Sequence, residues 1–478
     1  MPYKYGNREQ LSLLPNRVED YIGKEDPVRV YDAFIEQLDF TSLGIVMNGT
    51  KIGRSEYEPK AMLKLLLYGY SYGIRSSRKL ERAIYHNLSF IWLVGGLKPD
   101  HKTISRFRKN NLKQIKNLLK QCARLCLELN LIEGNTLFVD GSKIRGNASI
   151  KNTWTKEKCE RALEHIDKNI DEILEECEKT DKKERGQNSY VKLQGNLKDQ
   201  KEMKKRIKEI AKKLGDQKSI NTIDSECTRI NSIQGSHAGY NAQIVVDEKH
   251  GLIVNSDVVS ENNDVNQFAT QINQASEVLG KECKIACADS GYASTTELEK
   301  IDNKDIKVVV PSQRQASNKE VEDFDKDNFK YDEKNDCYVC PEGKKLIFKG
   351  ADKNNKVYRI TNATICQTCK HFGLCTESKG GRTIHRLSNE EIRQRLEKQY
   401  EKKSSQKIYK LRQQKVELPF GHIKRNLGVN AFLVRGKEGA NAEMSLLASC
   451  FNIRRMITIV HINKLITRLI NRRYKQVA

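Results

Sequence analysis

The chain has 478 residues, enough for two or three domains each with its own core, and carries 85 Lys and Arg against 62 Asp and Glu. The resulting net charge of +23 exceeds what solubility needs and points to a polyanionic partner, with nucleic acid ahead of an anionic membrane surface. No run reaches the 18 or so apolar residues of a membrane span, and the start MPYKYGNREQ lacks the apolar centre of a signal peptide, so an intracellular protein is expected.

The first 125 or so residues read as helices separated by short turns, with apolar periodicity from Pro59 to Tyr68 and again around Leu80, Ala83 and Ile84. The segment Pro99 to Lys109 begins with a Pro and an Asp cap, then winds basic and hydroxyl side chains about two apolar anchors, Ile104 and Phe107. It has the makings of a recognition helix, with Lys102, Arg106 and Arg108 as candidate DNA contacts; a plain solvated face is the alternative.

From Asn135 the texture changes. Thr136 to Ser142 is a short apolar run ended by Asp140 and a glycine turn, a buried strand with an acid at its end. Residues 155 to 215 are densely charged. Ile166, Ile170, Ile173, Leu174 and Cys177 form one helical stripe and Met203, Ile207, Ile210 and Leu214 another, which predicts a helical hairpin. A solvated structural insertion accounts for its charges. Tyr240 to Asp247 and Leu252 to Val259 then read as a strand hairpin, followed by a helix from about Asp264 to Leu279. Lys284 to Tyr292 repeats the earlier pattern of an apolar run ended by an Asp, here Asp289, and a Gly turn. A further strand, Ile306 to Val310, stops at Pro311.

Two strands that each deliver an Asp can assemble an acidic site at one edge of an α/β sheet. Transfer of a phosphoryl group between DNA strands asks mainly for metal ions, and hard divalent cations such as magnesium take carboxylate oxygens. The third acid comes from Tyr409 to Lys424, where helical geometry sets Glu417 and Lys424, seven positions apart, on nearly one face. This stretch resembles the Tyr-x2-Arg-x3-Glu-x6-Lys signature of bacterial insertion-sequence transposases of the DDE class. The long spacings between the acids and the helical segment ahead of the first Asp are similar to that family too.

The resemblance covers most of the chain and implies an α/β RNase H-like catalytic core with a helical N-terminal domain, a helical-hairpin insertion and a zinc-ribbon-like insertion. It implies Asp140, Asp289 and Glu417 as catalytic ligands of Mg2+ or Mn2+, with Tyr409, Arg412 and Lys424 holding DNA phosphates near the cut; Arg425, next to Lys424, is a further candidate DNA contact, with a solvated basic face as the alternative for both. A metal-activated water would cut at the element's end, and the freed 3'-hydroxyl would attack target DNA. Double-stranded DNA is the implied partner, a homodimer on paired ends the implied assembly, and the bacterial cytoplasm, at the nucleoid, the implied location. Two departures matter. Four residues rather than three separate Arg412 from Glu417, and Pro419 should kink or interrupt the helix. A catalytically inactive transposase-derived DNA-binding protein is the alternative, and a plain metal-dependent nuclease a third reading.

In a reducing compartment 13 cysteines stay as thiols or bind metal. Cys122, Cys126, Cys159, Cys177, Cys227, Cys283, Cys287 and Cys450 lie in apolar or amphipathic runs, as small buried hydrophobes do. Cys337-x2-Cys340-Pro341-Glu342-Gly343, Cys366-x2-Cys369 and Cys375 have knuckle spacing for a structural Zn2+ bound by four thiolates. Five cysteines compete for four places. The family resemblance favours Cys340, Cys366, Cys369 and Cys375, with Cys337 a possible substitute. The chain closes on a helix from about Asn441 to Val460 and a basic tail, with Arg454, Arg455, Arg468, Arg472, Arg473 and Lys475 expected to track the DNA backbone.

These signals divide the chain into a helical DNA-binding domain (1–130), a first core part (131–154), the charged hairpin (155–222) and a second core part (223–330). A zinc-ribbon-like insertion (331–385) and a C-terminal helical part with Glu417 and the tail (386–478) complete it.

Overall fold

The computed structural model describes the backbone of residues 17–45, 47, 56–183, 187–215, 219–232, 235–317, 322–352 and 355–477, with side chains except at 177–183, 187–193, 232, 352 and 473–477. The N-terminal decapeptide and the side chains of Cys177, Arg473 and Lys475 thus lie outside the described residues. The fold is mixed α/β, in two compact units: residues 1–264, 273–282 and 414–478 form the first, and 265–272 with 283–413 the second. Among the described residues no helix is long and apolar enough to cross a membrane.

The first unit begins with short helices, among them Val28–Glu36, Pro59–Ser71, Ser77–His86, His101–Asn110 and Leu118–Glu128. Pro59–Ser71 starts with its proline in the first turn, where no N–H is needed, and its Leu65, Leu66 and Leu67 are fully buried. Truncating Leu66 to Ala would cost about 2–5 kcal/mol by cavity formation.

The sheet of this unit is antiparallel. Strand β1 (Thr136–Arg145) and β2 (Thr228–Ser232) both pair with the long β3 (Gly235–Asp247), and β4 (Ile253–Val259) pairs with the later part of β3. The helix Lys437–Val460, buried along most of its length, seals the β4 edge. Asn441 exchanges bonds of 2.9 and 3.1 Å with the Val258 backbone, and Asn452 two of 2.8 Å with Ile253. Eleven helical residues rise about 16.5 Å, the same as five strand residues, so the two amides meet the strand at both ends of that span. Buried edge groups are thereby satisfied.

The hairpin forms from Lys156–Lys183 and Gln187–Leu214, rooted on paired Thr153–Trp154 and Ile220–Asn221. Its seam is shorter than the sequence stripes suggest. Cys159, Ile166 and Ile207 are buried, whereas Leu174 and Met203 are exposed.

In the second unit β5 (Ile285–Cys287) and β6 (Lys307–Val309) pair in parallel, with the helix Thr295–Asp302 as their crossover. The cysteine-bearing segment folds as a five-stranded antiparallel sheet of β7 (Lys330–Asp332), β8 (Cys337–Val339), β9 (Lys345–Asp352), β10 (Asn355–Ile360) and β11 (Thr383–Leu387), in sequential order. Its core is Phe329, Tyr338, Leu346, Tyr358, Ile360 and Ile384. Tyr331, Tyr338 and Tyr358 contact one another, edge to face or tilted, and Tyr331 and Tyr358 both donate to Asp336, so their hydroxyls are satisfied. The helix Glu390–Glu401 returns to β6, where Gln399 donates to the Val308 carbonyl at 2.6 Å.

Candidate functional site

In the first unit Asp140 lies within β1, opposite Ile244 on β3. The expected glycine turn does not form: Gly141 is paired with Gln243 and the strand runs on to Arg145. Strand alternation sets Asp140 and Ser142 on one face. Lys424 reaches that face, its Nζ donating to Ser142 Oγ at 2.5 Å. Burial pushes the Lys424 ammonium below its ordinary pKa while the charge of Asp140 opposes the shift, so the two groups interact. Ser142 was not singled out in the sequence; its place two residues after the acid, on the same face, is the signal that could have found it.

Glu417 is exposed on the helix Lys403–Gly421. Pro419 does not end that helix; the chain continues through it and opens into a π-helical turn, His422–Asn426, which carries Lys424 and the exposed Arg425. The wide turn thus begins three residues after the proline, within one turn of the break in the hydrogen-bond ladder.

In the second unit Asp289 follows β5 and caps the short 3-10 turn Ser290–Tyr292. One carboxylate oxygen accepts from the Gly291 N–H at 2.8 Å, and the other from Arg412 Nη2 at 3.0 Å. Arg412 is 8% exposed, so this pair is shielded on its cationic side. Five helical positions separate Arg412 from Glu417, an angle of about 140° where a four-residue step would give about 40°. The inserted residue explains why Arg412 is buried while Glu417 faces solvent. Tyr409 is half-buried, packs edge to face on Tyr400 at 5.4 Å, and has its phenol pKa raised by burial, with Arg412 lowering it and Asp289 raising it further. Tyr409, Arg412 and Asp289 are therefore one local group.

On His101–Asn110 the Asp100 cap accepts from the Thr103 N–H at 2.7 Å, as the sequence implies. Lys102 and Arg106 are exposed. Arg108 instead donates to the Tyr70 hydroxyl and the Arg75 carbonyl, each at 3.0 Å, inside the helical layer. Several tail cations are also engaged: Arg454 with the Ser71 carbonyl at 3.0 Å, Arg455 with that of His250 at 3.0 Å, and Arg472 with Glu128.

Cys340, Cys366, Cys369 and Cys375 line one cavity of about 460 Å3. The Lys344 N–H points at Cys340 Sγ (3.2 Å) and the Arg382 N–H at Cys366 Sγ (3.5 Å). The thiol pKa of Cys375 is raised by burial, lowered by Arg382, and raised again by Cys366, Cys340 and Cys369, so the Cys375 sulfur lies within electrostatic reach of the other three. Cys337, by contrast, is buried within β8 and does not line the cavity. Among the described residues, no three or more His, Cys, Asp or Glu side chains stand as a metal-binding group, and this holds for both the acids and the thiols.

Comparison with known proteins bears on both units. Residues 16–110 match the family model described as a Transposase domain (DUF772), and residues 339–457 match that described as a Transposase DDE domain. No curated protein matches. A cryo-EM structure of a piggyBac transposase synaptic complex with hairpin DNA aligns over 94% of this chain and 85% of its own, with a TM-score of 0.25 and 10% identity, a likeness too slight to bear on the fold. The two family matches, one over the helical N-terminal segment and one over the cysteines and the Glu417 helix, are both to transposase domains and support a DDE-class insertion-sequence transposase.

Proposed function

We propose that the protein binds the ends of an insertion sequence and catalyses metal-dependent cleavage and strand transfer of DNA, using Asp140, Asp289 and Glu417 in an RNase H-like core. The observation that carries this reading is that two of the acids each stand beside a cation from the signature segment. Arg412 is 3.0 Å from Asp289, and Lys424 is held by Ser142 on the Asp140 face. Divalent cations, when bound, would activate the attacking oxygen and offset charge on the leaving one. Lys424, Arg425 and Tyr409 would hold the phosphates flanking the cut, and Arg412 would keep Asp289 oriented. Lys102 and Arg106 would contact DNA from the N-terminal domain, with Arg108 bracing their helix.

The chemistry of the donor set also supports a structural zinc held by Cys340, Cys366, Cys369 and Cys375. Four thiols share one cavity, and backbone N–H groups point at two of the sulfurs, as they do around thiolate ligands. The proposed partners are double-stranded DNA and a second copy of the chain on the paired end, at the bacterial nucleoid.

The test is a labelled duplex bearing the element's own end, incubated with and without magnesium beside Asp140→Ala, Asp289→Ala and Glu417→Ala. Terminal cleavage and joining that need the metal and all three acids are expected. Binding without cleavage by the unmodified protein would replace this reading with that of an inactive DNA-binding descendant, and cleavage without joining with that of a nuclease.

A further inference from the structure

The turn between β3 and β4 sits amid positive charge that the proposed chemistry does not use. Lys415 Nζ donates to the Lys249 carbonyl at 3.2 Å and Arg455 Nε to that of His250 at 3.0 Å, so both cations are pinned to the turn by its backbone. The His250 imidazole is held below its ordinary pKa, first by burial and then by the charges of Lys249, Arg455 and Lys415, against the opposing charge of Asp247; Lys249 itself is paired with Glu133 at 2.8 Å. The histidine thus registers a positive local potential.

Beside it opens a groove of about 980 Å3, lined among others by Glu128, His250, His461, Lys464, Arg468 and Arg472. Its one carboxylate, Glu128, is already paired with Arg472. Lys464 and Arg468, four positions apart on the helix Ile462–Val477, share a face, are exposed, and are engaged by no carboxylate among the described residues. His461 has a left-handed backbone (φ 66°), which ends the helix Lys437–Val460 and starts the next at once. A non-glycine residue adopts that conformation at some cost, and here it turns the chain so that Lys464 and Arg468 line the groove.

We propose that this groove grips the phosphate backbone of DNA beside the cut, with Lys464 and Arg468 as its contacts. The inference rests on the transposase reading and deepens it by naming where the flanking duplex is held. The turn adjoins the start of β1, since the Glu248 N–H donates to the Thr136 carbonyl. Asp140 lies four residues along that strand, about 13 Å away.

Backbone contacts are blind to sequence, so a fluorescein-labelled 30-base-pair duplex of arbitrary sequence serves as the probe. Its affinity for the full chain is measured across a salt series for the unmodified protein, for Lys464→Glu/Arg468→Glu, and for Lys201→Glu/Lys205→Glu. The last makes the same charge change on the exposed hairpin helix. The expected result is a loss of at least tenfold near 0.1 M salt, and a log–log salt slope shallower by about two, in the groove variant alone. An unchanged slope, or an equal loss in the hairpin variant, overturns the groove while leaving the transposase reading intact. Absence of binding by the unmodified protein sinks both. Should the groove variant melt early, Lys464→Gln/Arg468→Gln is titrated in its place, with the same slope change expected.

Discussion

Arg412 Nη2 stands 3.0 Å from the Asp289 carboxylate, whose second oxygen is held by the Gly291 N–H. The signature alone casts Arg412 as a phosphate contact, but a guanidinium buried against a carboxylate is better suited to fixing that carboxylate's orientation. Arg412→Lys keeps the charge and loses the planar fork. We expect it to lower magnesium-dependent cleavage at least tenfold while the salt dependence of DNA binding stays as in the unmodified protein. A shallower salt slope would return Arg412 to the phosphate.

The cysteine set can be resolved by metal analysis. Cys340, Cys366, Cys369 and Cys375 share a cavity and Cys337 is packed into β8. Purified protein is therefore expected to carry a single zinc ion that Cys369→Ser abolishes and Cys337→Ser retains. Zinc loss should lower the melting temperature by several degrees, because an unfilled cluster leaves this small sheet without its staple. Zinc retained by Cys369→Ser and lost by Cys337→Ser would reverse the assignment.

Acid should weaken the second unit in a particular window. Glu390 is 1% exposed; burial alone would raise its pKa, but hydrogen bonds from Lys326 and Arg393, each at 2.7 Å, hold it below the ordinary carboxylate value. Lys326 is itself pushed down by its burial more than Glu390 lifts it, whereas the Arg393 guanidinium is raised, so the carboxylate is held by both cations while only Arg393 gains from the pairing overall. A depressed folded pKa means the stabilisation is complete above the unfolded carboxylate value of about 4.3 and disappears as pH falls through the folded value. Glu390→Gln should cost about 2–3 kcal/mol in urea unfolding at pH 7. The gap to the unmodified protein should narrow below about pH 4; a gap independent of pH would show that the charge is not what stabilises.

Much of this was legible in the residues. The stop after β5 at Asp289, the Asp100 cap and the helical hairpin follow from apolar runs, capping chemistry and period. Gly141 misled: a glycine after an acid reads as a turn, yet pairing with β3 carries the strand past it, because cross-strand register outweighs local preference. The ends of the hairpin stripes misled as well, since periodicity marks a face and not how far a partner covers it. The Lys424–Ser142 and Arg412–Asp289 contacts join residues 282 and 123 positions apart, a relation no local pattern encodes. The aromatic core of the five-stranded sheet was likewise hidden, as its tyrosines are scattered across strands of three to eight residues.

The helix around Pro419 yields the last test. A proline inside a helix lacks the N–H that would bond four residues back and crowds that carbonyl, which here belongs to Lys415. The chain stays helical to Gly421 and then widens, with the Leu427 N–H bonded to the His422 carbonyl five residues earlier at 3.0 Å. That turn delivers Lys424 to Ser142. Pro419→Ala restores the missing bond and lets the helix wind regularly, so thermal stability should rise by about 1–3 kcal/mol. Regular winding would also rotate Lys424 away from Ser142, and cleavage should fall. Ser142→Ala, which removes the contact without rewinding the helix, should lower cleavage with little change in melting temperature. A Pro419→Ala protein that is more stable and equally active would mean that the wide turn does not set the lysine.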